Sequence, residues 1–282
     1  MNINLRAIRD LLEMALREDI GIGDITADSV VPTDIMAVGT ILSKSDGIVA
    51  GLDVADEIFR MLDPSIRFKR LVSDGEQVHP AQNIATAEGP ARPILTAERT
   101  VLNFMQRLSG IATMTAEYVR AASDYHATII DTRKTTPGWR VLEKYAVRVG
   151  GGRNHRFGLY DAVLIKDNHI AAVGGIAEAV SRAREQIPHT MKIEVEVENM
   201  DQVREAIEAG ADIIMPDNMG ADTMAQAVKL IDGRAIVEAS GGLRLEDIPA
   251  VAATGVDLIS IGALTHSAMP LDISMDMTLK RE

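Results

Sequence analysis

The sequence of 282 residues predicts an α+β domain followed by a parallel βα barrel. From about Ala127 onward, short apolar runs rich in β-branched residues alternate with amphipathic helical patterns. This alternation is typical of parallel strands that are joined by crossover helices. Before that point, one helical pattern gives way to separate extended runs that are broken by Asp-Gly pairs, which is α+β order. The two parts therefore predict different folds within one chain.

The N-terminal domain is predicted over residues 1–110. Apolar residues repeat at helical spacing over 5–16 and predict an amphipathic first helix. Extended runs follow at 37–42 and 84–87, and each predicts a strand. The C-terminal segment 270–282 begins with a proline and is expected to complete this domain by supplying an edge strand.

The barrel is predicted over residues 111–269. Each of its expected strands is followed by polar, ionisable or Gly-rich residues. Because the active site of a parallel βα barrel lies at the carboxyl ends of the strands, these residues are candidates for the site, although some are helix caps. The expected strands are ATIID (127–131), AVLIK (162–166), KIEVEV (192–197), DIIMP (212–216), AIVEA (235–239) and DLISI (257–261).

The composition excludes several classes of protein. The sequence has no cysteine, which excludes disulfides, thiolate catalysis and Cys-based zinc sites and favours a reducing compartment. A net charge of -12 and an aromatic content of 3% argue against a nucleic-acid binder, because an acidic surface repels phosphate backbones. The N-terminus lacks the apolar run of a signal peptide, and no stretch approaches a membrane span. We expect a soluble, cytoplasmic protein.

Basic side chains concentrate in one segment of this acidic chain. Between residues 133 and 169 there are eight Lys or Arg residues and three acidic residues. Arg has a planar fork that matches a carboxylate, and Lys has a compact charge suited to phosphate, so the implied ligand is strongly anionic. A solvated basic face is the alternative. The cationic group on the predicted loops is Arg133, Lys134, His155, Arg156 and Lys166.

His155 has two interpretations when it is considered alone. A single histidine is often an ordinary loop residue whose ring nitrogens are satisfied by the protein. The surrounding run GGGRNHR favours a binding site instead, because its glycines allow the backbone to approach a ligand closely. Two arginines also flank this histidine, which fits an anionic ligand.

Carboxylates lie at the ends of two neighbouring predicted strands. Glu196 and Asp217 offer hard oxygen ligands beside an expected phosphate site, which is the usual way to hold a magnesium ion that keeps most of its waters. Glu194, Glu196 and Glu198 are two residues apart and would share one face of a strand. If that face is the barrel interior, unpaired carboxylates would be costly, so we expect cationic or metal partners there.

Gly-rich loops follow the last two predicted strands. The first loop contains Ser240, Gly241 and Gly242, and the second contains Gly262 and Ala263. In such barrels, loops at these positions often form a phosphate site from backbone N–H groups at the start of a helix. The pattern predicts phosphate binding and does not identify the phosphorylated ligand.

Arg99 lies outside the barrel and is unusual for its position. The helix predicted around residues 93–110 has an apolar stripe, and Arg99 falls between Leu95 and Leu102 on it. An arginine on a packing face needs an anion. Either a neighbouring salt bridge supplies it, or this face meets an active site, including the site of another subunit.

These motifs together resemble one family. The runs DTRKTTPG, KYAVRVGGGRNHRFGLYDAVLIKDNH, EVEVE, PDNMG, EASGGL and IGALTHS resemble quinolinate phosphoribosyltransferase, also called nicotinate-nucleotide pyrophosphorylase (carboxylating). The resemblance covers essentially the whole chain in order, and the run from Asp131 to His169 is highly specific. It implies an N-terminal α/β sandwich and an open, TIM-like βα barrel. It also implies a homodimer with active sites shared between subunits, and leaves assembly into a hexamer open.

The resemblance implies an activity and a set of site residues. Quinolinate and phosphoribosyl pyrophosphate would give nicotinate mononucleotide, pyrophosphate and CO2 in NAD biosynthesis, with Mg2+ as cofactor. Lys134, Lys166, Glu196 and Asp217 would be catalytic, and Trp139 stands where a smaller aliphatic residue is expected. Quinolinate would meet Thr132, Arg133, His155, Arg156 and Lys166, with Arg99 from the other subunit. Phosphoribosyl pyrophosphate would meet Lys134, Glu196, Asp217, Ser240, Gly241, Gly242, Ile261, Gly262, Ala263 and His266, and the metal would meet Glu196 and Asp217, directly or through water.

Three other functions stay open at this point. Lys166, at a strand end, would suit a Schiff-base enzyme that acts on a phosphorylated carbonyl compound. A barrel that only binds a phosphorylated ligand would give no reason for carboxylates beside a phosphate site. A related pyrophosphorylase that uses another pyridine or pyrimidine acid would differ only in turnover.

Overall fold

The computed structural model describes residues 3–280. Residues 1, 2, 281 and 282, which the predicted domain bounds include, lie outside the described residues. Within 3–280, no helix is both long enough and apolar enough to cross a membrane. The helices are α1 (Arg9–Ile20), α2 (Ile25–Val30), α3 (Leu52–Leu62), α4 (Ala91–Ala121), α5 (Arg140–Val149), α6 (Asp167–Val173), α7 (Ile176–Gln186), α8 (Met200–Glu208), α9 (Ala221–Ile231), α10 (Ile248–Ala252) and α11 (Ala263–His266).

The strands confirm the pattern that the sequence predicted. Every expected barrel run contains a strand, and both N-terminal extended runs do as well. The strands are β1 (Met36–Ser43), β2 (Gly47–Ile48), β3 (Arg67–Arg70), β4 (Gln77–Val78), β5 (Asn83–Pro90), β6 (Thr128–Ile130), β7 (Val163–Ile165), β8 (Ile193–Val197), β9 (Ile213–Pro216), β10 (Ile236–Ala239), β11 (Leu258–Ser260) and β12 (Ile273–Leu279).

An antiparallel sheet organises the first of two compact units. This unit comprises the described residues of Met1–Ala116, Thr136–Gly151 and Thr265–Glu282. Its strand order is β12-β1-β5-β3, and residues of β1 alternate between buried and more exposed positions, as expected for a strand with one face on a core. Strand β12 pairs antiparallel with β1 at the sheet edge, which confirms the predicted edge strand.

The compact units divide the chain differently from the predicted domain bounds. The sequence placed residues 111–269 in the barrel, whereas the first unit extends to residue 116, includes residues 136–151 with helix α5, and resumes at residue 265. Helix α5 buries most of its side chains, and the Trp139 ring before it stacks on Phe104 at a centroid distance of 4.6 Å and an angle of 15°. This stack gives Trp139 a packing role, since Phe104 provides a large apolar surface for it.

A parallel sheet forms the second unit, which comprises Glu117–Thr135 and Gly152–Leu264. Its strand order is β6-β11-β10-β9-β8-β7, and all of its ladders are parallel. Strands β6 and β7 are the two ends of this order, so the described residues form an open barrel. Beside β6, Arg153 makes an isolated parallel bridge to Ile130. The loop that follows Arg153 therefore begins at the carboxyl end of the sheet.

Candidate active site

A cavity of about 550 Å³ lies at the carboxyl ends of the parallel strands. This volume is typical of a small-molecule site. The predicted cationic and carboxylate groups line it together with the Gly-rich loop after β10, so the convergence that the sequence predicted is confirmed, while their binding roles stay predictions. The lining residues are Thr132, Arg133, Lys134, His155, Arg156, Leu164, Lys166, Glu196, Met215, Asp217, Asn218, Glu238, Ser240, Gly241, Gly242 and Ser260.

Arg99 lies on helix α4 in the first unit, and its side chain is exposed. The interpretation that Arg99 sits on a packing face is therefore wrong for the described chain. The buried stripe of α4 includes Leu102 and Met105, as the spacing predicted, but passes beside Leu95 and Arg99 and not through them. The buried residues of this stretch include Ile94, Ala97, Val101, Leu102 and Met105.

Four other predicted residues follow strand β11 and do not belong to the cavity lining described above. Ile261 is buried, and its backbone N–H donates to the Ile130 carbonyl at 2.9 Å. Gly262 and Ala263 lead into the short helix α11. His266 ends that helix, belongs to the first unit, and places Nδ1 2.7 Å from the Ser267 hydroxyl. Their predicted contacts with phosphoribosyl pyrophosphate stay predictions.

A buried carboxylate, Asp131, fixes the loop that contains GGGRNHR (150–156) at the carboxyl end of the sheet. Its Oδ1 accepts from the backbone N–H of His155 at 2.9 Å, and its Oδ2 accepts from Asn154 Nδ2 at 2.6 Å. Asp131 follows β6 directly and is fully buried, so its charge is compensated by donors that it holds in place. Sequence reasoning gave Asp131 no role, although an acid at the end of an apolar strand is a usable signal.

The His155 ring is engaged by the protein at both nitrogens. Its Nδ1 accepts from the backbone N–H of Arg156 at 2.6 Å. Its Nε2 lies 3.0 Å from Glu194 Oε2 and 3.7 Å from Glu238 Oε1. Because Nδ1 accepts, the proton is on Nε2 and is donated to Glu194. The geometry thus favours a neutral His155, which differs from the cationic group in which the sequence placed it.

Two buried glutamates lie beneath this histidine. Glu194 of β8 and Glu238 of β10 are almost inaccessible to solvent. Burial raises the pKa of Glu238 well above its usual range, and the neighbouring Glu194 raises it further, while a hydrogen bond from Ser260 acts in the opposite direction. Glu238 is therefore protonated more readily than an exposed glutamate. Sequence reasoning gave Glu238 no role, because nothing in AIVEA indicates which carboxylate it will face.

The alternating acids of strand β8 meet the expectation of cationic partners in part. Glu196 Oε2 bonds to the Lys166 ammonium, and Glu194 bonds to the His155 ring. Glu198 is exposed, so its carboxylate does not need the cationic partner that was expected for a buried acid. Its backbone N–H donates to Gln202 Oε1 at 2.6 Å.

Glu196 and Asp217 both line the cavity, at the ends of two neighbouring strands. Strands β8 and β9 pair in register there, and the Asp217 N–H donates to the Val197 carbonyl at 2.9 Å. Asp217 also accepts from Asn218 Nδ2 at 2.7 Å. Two hard carboxylates that face an open cavity with room for water fit a magnesium ion.

Arg156 is placed to receive an anion. Its Nη1 donates to the Ala162 carbonyl at 3.0 Å, while its Nε is buried and has no hydrogen-bond partner within the described residues. Burial lowers the pKa of Arg156, and the positive charge of Arg133 lowers it further. Two guanidinium groups close enough to repel each other would gain from an anion between them.

The loop after β10 requires glycine at Gly241. Its backbone has φ +108°, and a Cβ there would lie 2.4 Å from Asn218 Oδ1. The backbone of the adjacent Ser240 accepts from the Asn218 N–H at 3.1 Å. The loops after β9 and β10 are therefore held against each other, and only glycine permits this approach.

Comparisons with known proteins agree over the whole chain. The family model described as "Quinolinate phosphoribosyl transferase, C-terminal domain" matches residues 111–276, and the model for the N-terminal domain matches 24–109. A probable nicotinate-nucleotide pyrophosphorylase [carboxylating] of Bacillus subtilis is 51% identical over 280 residues, which are 99% of this chain and 96% of that protein. A chloroplastic nicotinate-nucleotide pyrophosphorylase [carboxylating] of Arabidopsis thaliana is 44% identical and covers 95% of this chain and 82% of its own.

Solved structures also match this chain over nearly its full length. NadC from Streptococcus pyogenes matches with a TM-score of 0.97 and 42% identity, and the match covers 100% of both chains. The nicotinate-nucleotide pyrophosphorylase from Francisella tularensis matches with a TM-score of 0.94 and 42% identity over 98% of both chains. These similarities extend through both compact units of the fold.

Proposed function

The chain belongs to the quinolinate phosphoribosyltransferase family, and we propose that the cavity of its open barrel is the active site. As a phosphoribosyltransferase, it converts quinolinate and phosphoribosyl pyrophosphate to nicotinate mononucleotide, pyrophosphate and CO2 in NAD biosynthesis. The observation that carries the proposed site is the set of groups that share one cavity. Basic side chains, the carboxylates Glu196 and Asp217 and the Gly-rich loop after β10 all line it.

Quinolinate is a pyridine with two adjacent carboxylates, and it suits the basic side chains that line the cavity. Arg133, Arg156 and Lys166 would bind these carboxylates, with Thr132 at the rim. The unpartnered Arg156 Nε supports this, because a buried donor gains most from a charged acceptor. His155 would contribute indirectly, because its Nδ1 accepts from the Arg156 N–H and so holds Arg156 in position.

Phosphoribosyl pyrophosphate suits other residues that line the same cavity. Ser240, Gly241 and Gly242 offer a loop on which phosphate oxygens could rest, and Lys134 offers a compact charge. The segment Ile261–Ala263 and His266 would add contacts as the family resemblance implies. Glu196 and Asp217 would hold Mg2+, directly or through water, and the ion would neutralise charge on the diphosphate.

The reaction requires mainly that the negative charges of the two substrates are neutralised and that the pyridine nitrogen is aligned with the anomeric carbon. The pyridine nitrogen attacks the anomeric carbon as pyrophosphate leaves, through a transition state with positive charge on the ribose. Carboxylates near the ribose would stabilise that charge, and cations would bring two polyanions together against their repulsion. The pyridinium charge then permits the adjacent carboxylate to leave as CO2, and a proton takes its place.

A homodimer with shared sites is the second part of this proposal. Arg99 is exposed on α4, so it is available to reach the cavity of another subunit. We expect Arg99→Ala to be inactive, and mixing it with an inactive Lys166→Ala protein to restore part of the activity, because one hybrid site would contain both native residues. Absence of restored activity in subunits shown to exchange would contradict the sharing.

Labelled CO2 release from quinolinate tests the proposed site. Release should require both phosphoribosyl pyrophosphate and Mg2+, and borohydride should trap no adduct at Lys166. Arg133→Ala should raise the quinolinate KM by about a hundredfold, as expected for the loss of a bidentate charged contact, and should change the phosphoribosyl pyrophosphate KM little. Arg204→Ala, which removes the same charge from the exposed face of α8, is the matched control. An equal rise of both KM values would contradict the assignment.

A further inference from the structure

We propose that Glu194, which lies beneath the cavity, is a positioning residue that holds Arg156 in place through the His155 ring. This inference rests on the proposed function, because it takes Arg156 as a ligand of quinolinate. It adds a residue that does not touch the substrate.

A continuous chain of hydrogen bonds leads from Glu194 to Arg156. Glu194 Oε2 accepts from His155 Nε2 at 3.0 Å, and His155 Nδ1 accepts from the Arg156 N–H at 2.6 Å. The ring can make both bonds only in one orientation and in one tautomer. The carboxylate of Glu194 selects that tautomer, because its oxygen accepts a hydrogen bond from the Nε2–H group.

Two other hydrogen bonds hold the same part of the loop. The preceding residue is fixed from the other side, where the His155 N–H donates to Asp131 Oδ1 at 2.9 Å. The guanidinium is fixed at Nη1 by the Ala162 carbonyl at 3.0 Å. A rotation of the His155 ring would therefore release the Arg156 N–H and shift the whole residue, including its free Nε.

Glu238 lies farther from the His155 ring than Glu194 does. Nε2 is 3.0 Å from Glu194 Oε2 and 3.7 Å from Glu238 Oε1, so Glu194 is the acceptor of the Nε2–H group. Burial and the neighbouring Glu194 both raise the pKa of Glu238. A glutamine at position 238 would leave the Glu194 acceptor in place, whereas a glutamine at position 194 would replace it.

A metal ion bound by the same three side chains is the main alternative. One oxygen from each glutamate and one ring nitrogen lie within 4.8 Å of one another. A metal on Nε2 would require the ring proton on Nδ1, where it would point at the Arg156 N–H. Two donors would then face each other at 2.6 Å, which disfavours the metal and favours the proton.

Kinetics of a matched pair of variants test the proposal. Glu194→Gln should raise the quinolinate KM about tenfold while the phosphoribosyl pyrophosphate KM stays within about twofold. Glu238→Gln should raise the quinolinate KM less than Glu194→Gln does, because it leaves the acceptor of the Nε2–H group in place. The reverse order, with Glu238→Gln the more harmful, would overturn the proposal. Zinc or manganese that copurifies stoichiometrically with the wild type and is lost from Glu194→Gln would overturn it too. If Glu194→Gln fails to fold, Glu194→Asp withdraws the carboxylate by one methylene and should give the same KM pattern.

A double-mutant cycle shows whether Glu194 acts through Arg156. In an Arg156→Lys background, Glu194→Gln should add less than about twofold to the quinolinate KM, because the residue that it positions is already replaced. Multiplicative effects would overturn the inference and leave the proposed function intact. If Arg156→Lys itself leaves the quinolinate KM unchanged, the proposed function fails at this residue, and the inference fails with it.

Discussion

An ion pair between Arg107 and the buried Glu143 in the first unit should stabilise the segment 136–151. The Glu143 carboxylate on α5 is fully buried and accepts from Arg107 Nη2 at 2.7 Å. It also accepts from the Thr136 N–H at 3.0 Å and the Thr136 hydroxyl at 2.9 Å. We predict that Arg107→Met lowers the free energy of unfolding by about 3–5 kcal/mol, because it leaves a buried charge without its cation.

A second substitution separates the effect of the buried Glu143 charge from the loss of the other Arg107 contacts. Adding Glu143→Gln to Arg107→Met should recover about 1–3 kcal/mol, because a neutral amide can keep the Thr136 bonds without a buried charge. The contacts of Arg107 with the Thr265 and Ala268 carbonyls are lost equally in the single and double variants. Their loss therefore does not affect the difference between the two.

Urea unfolding followed by tryptophan fluorescence measures both steps. Trp139 is the only tryptophan of the chain and stacks on Phe104 within the same unit, so its emission reports on this segment. The reasoning is refuted if the double variant is no more stable than Arg107→Met, within about 0.5 kcal/mol, the usual limit for additive effects. Glu178→Gln, which breaks an exposed pair on α7, should change stability by less than about 1 kcal/mol and is the control.

Two further predictions concern stability. Tyr145→Phe should lower the free energy of unfolding by about 1.5–3 kcal/mol, because the Tyr145 hydroxyl donates to Asp74, whose pKa is already raised by burial; an unchanged urea midpoint would contradict this. Burial raises the folded-state pKa of Glu238 above its unfolded value of about 4.5. The folded state therefore binds this proton more tightly than the unfolded state does. The free energy of unfolding should fall as the pH rises from about 4.5 towards the raised pKa. Glu238→Gln should therefore reduce the slope of unfolding free energy against pH between pH 5 and pH 8, and an equal slope in both proteins would count against a buried proton.

The strands were predictable because their signal is local. A run such as ATIID or DIIMP contains enough apolar, β-branched residues to predict a buried strand, and the polar residues that follow it must lie at its carboxyl end. Parallel pairing then brings those ends to one edge, which is why Arg133, Lys166, Glu196 and Asp217 meet in one cavity.

Helix α5 shows where the same reasoning failed. It stands between two barrel strands in sequence, as a crossover helix would, and its amphipathic pattern says only that one face is buried. The partner of that face is decided by the Phe104 stack and by Arg107, which are distant in sequence. Arg99 is a related case, since a helical stripe can be placed a position too far round without a partner to define it.

The sequence by itself determined which chemistry the barrel mouth would contain, because the order of strand and loop residues fixes which side chains share an edge. Only the tertiary structure decided the protonation and orientation of those groups. The orientation of the His155 ring depends on a carboxylate and a backbone N–H that contact it from β8 and from its own loop, and the raised pKa of Glu238 depends on burial beside Glu194. Such properties arise from distances between groups that are remote in sequence and from the loss of solvent, and neither quantity is encoded in local spacing.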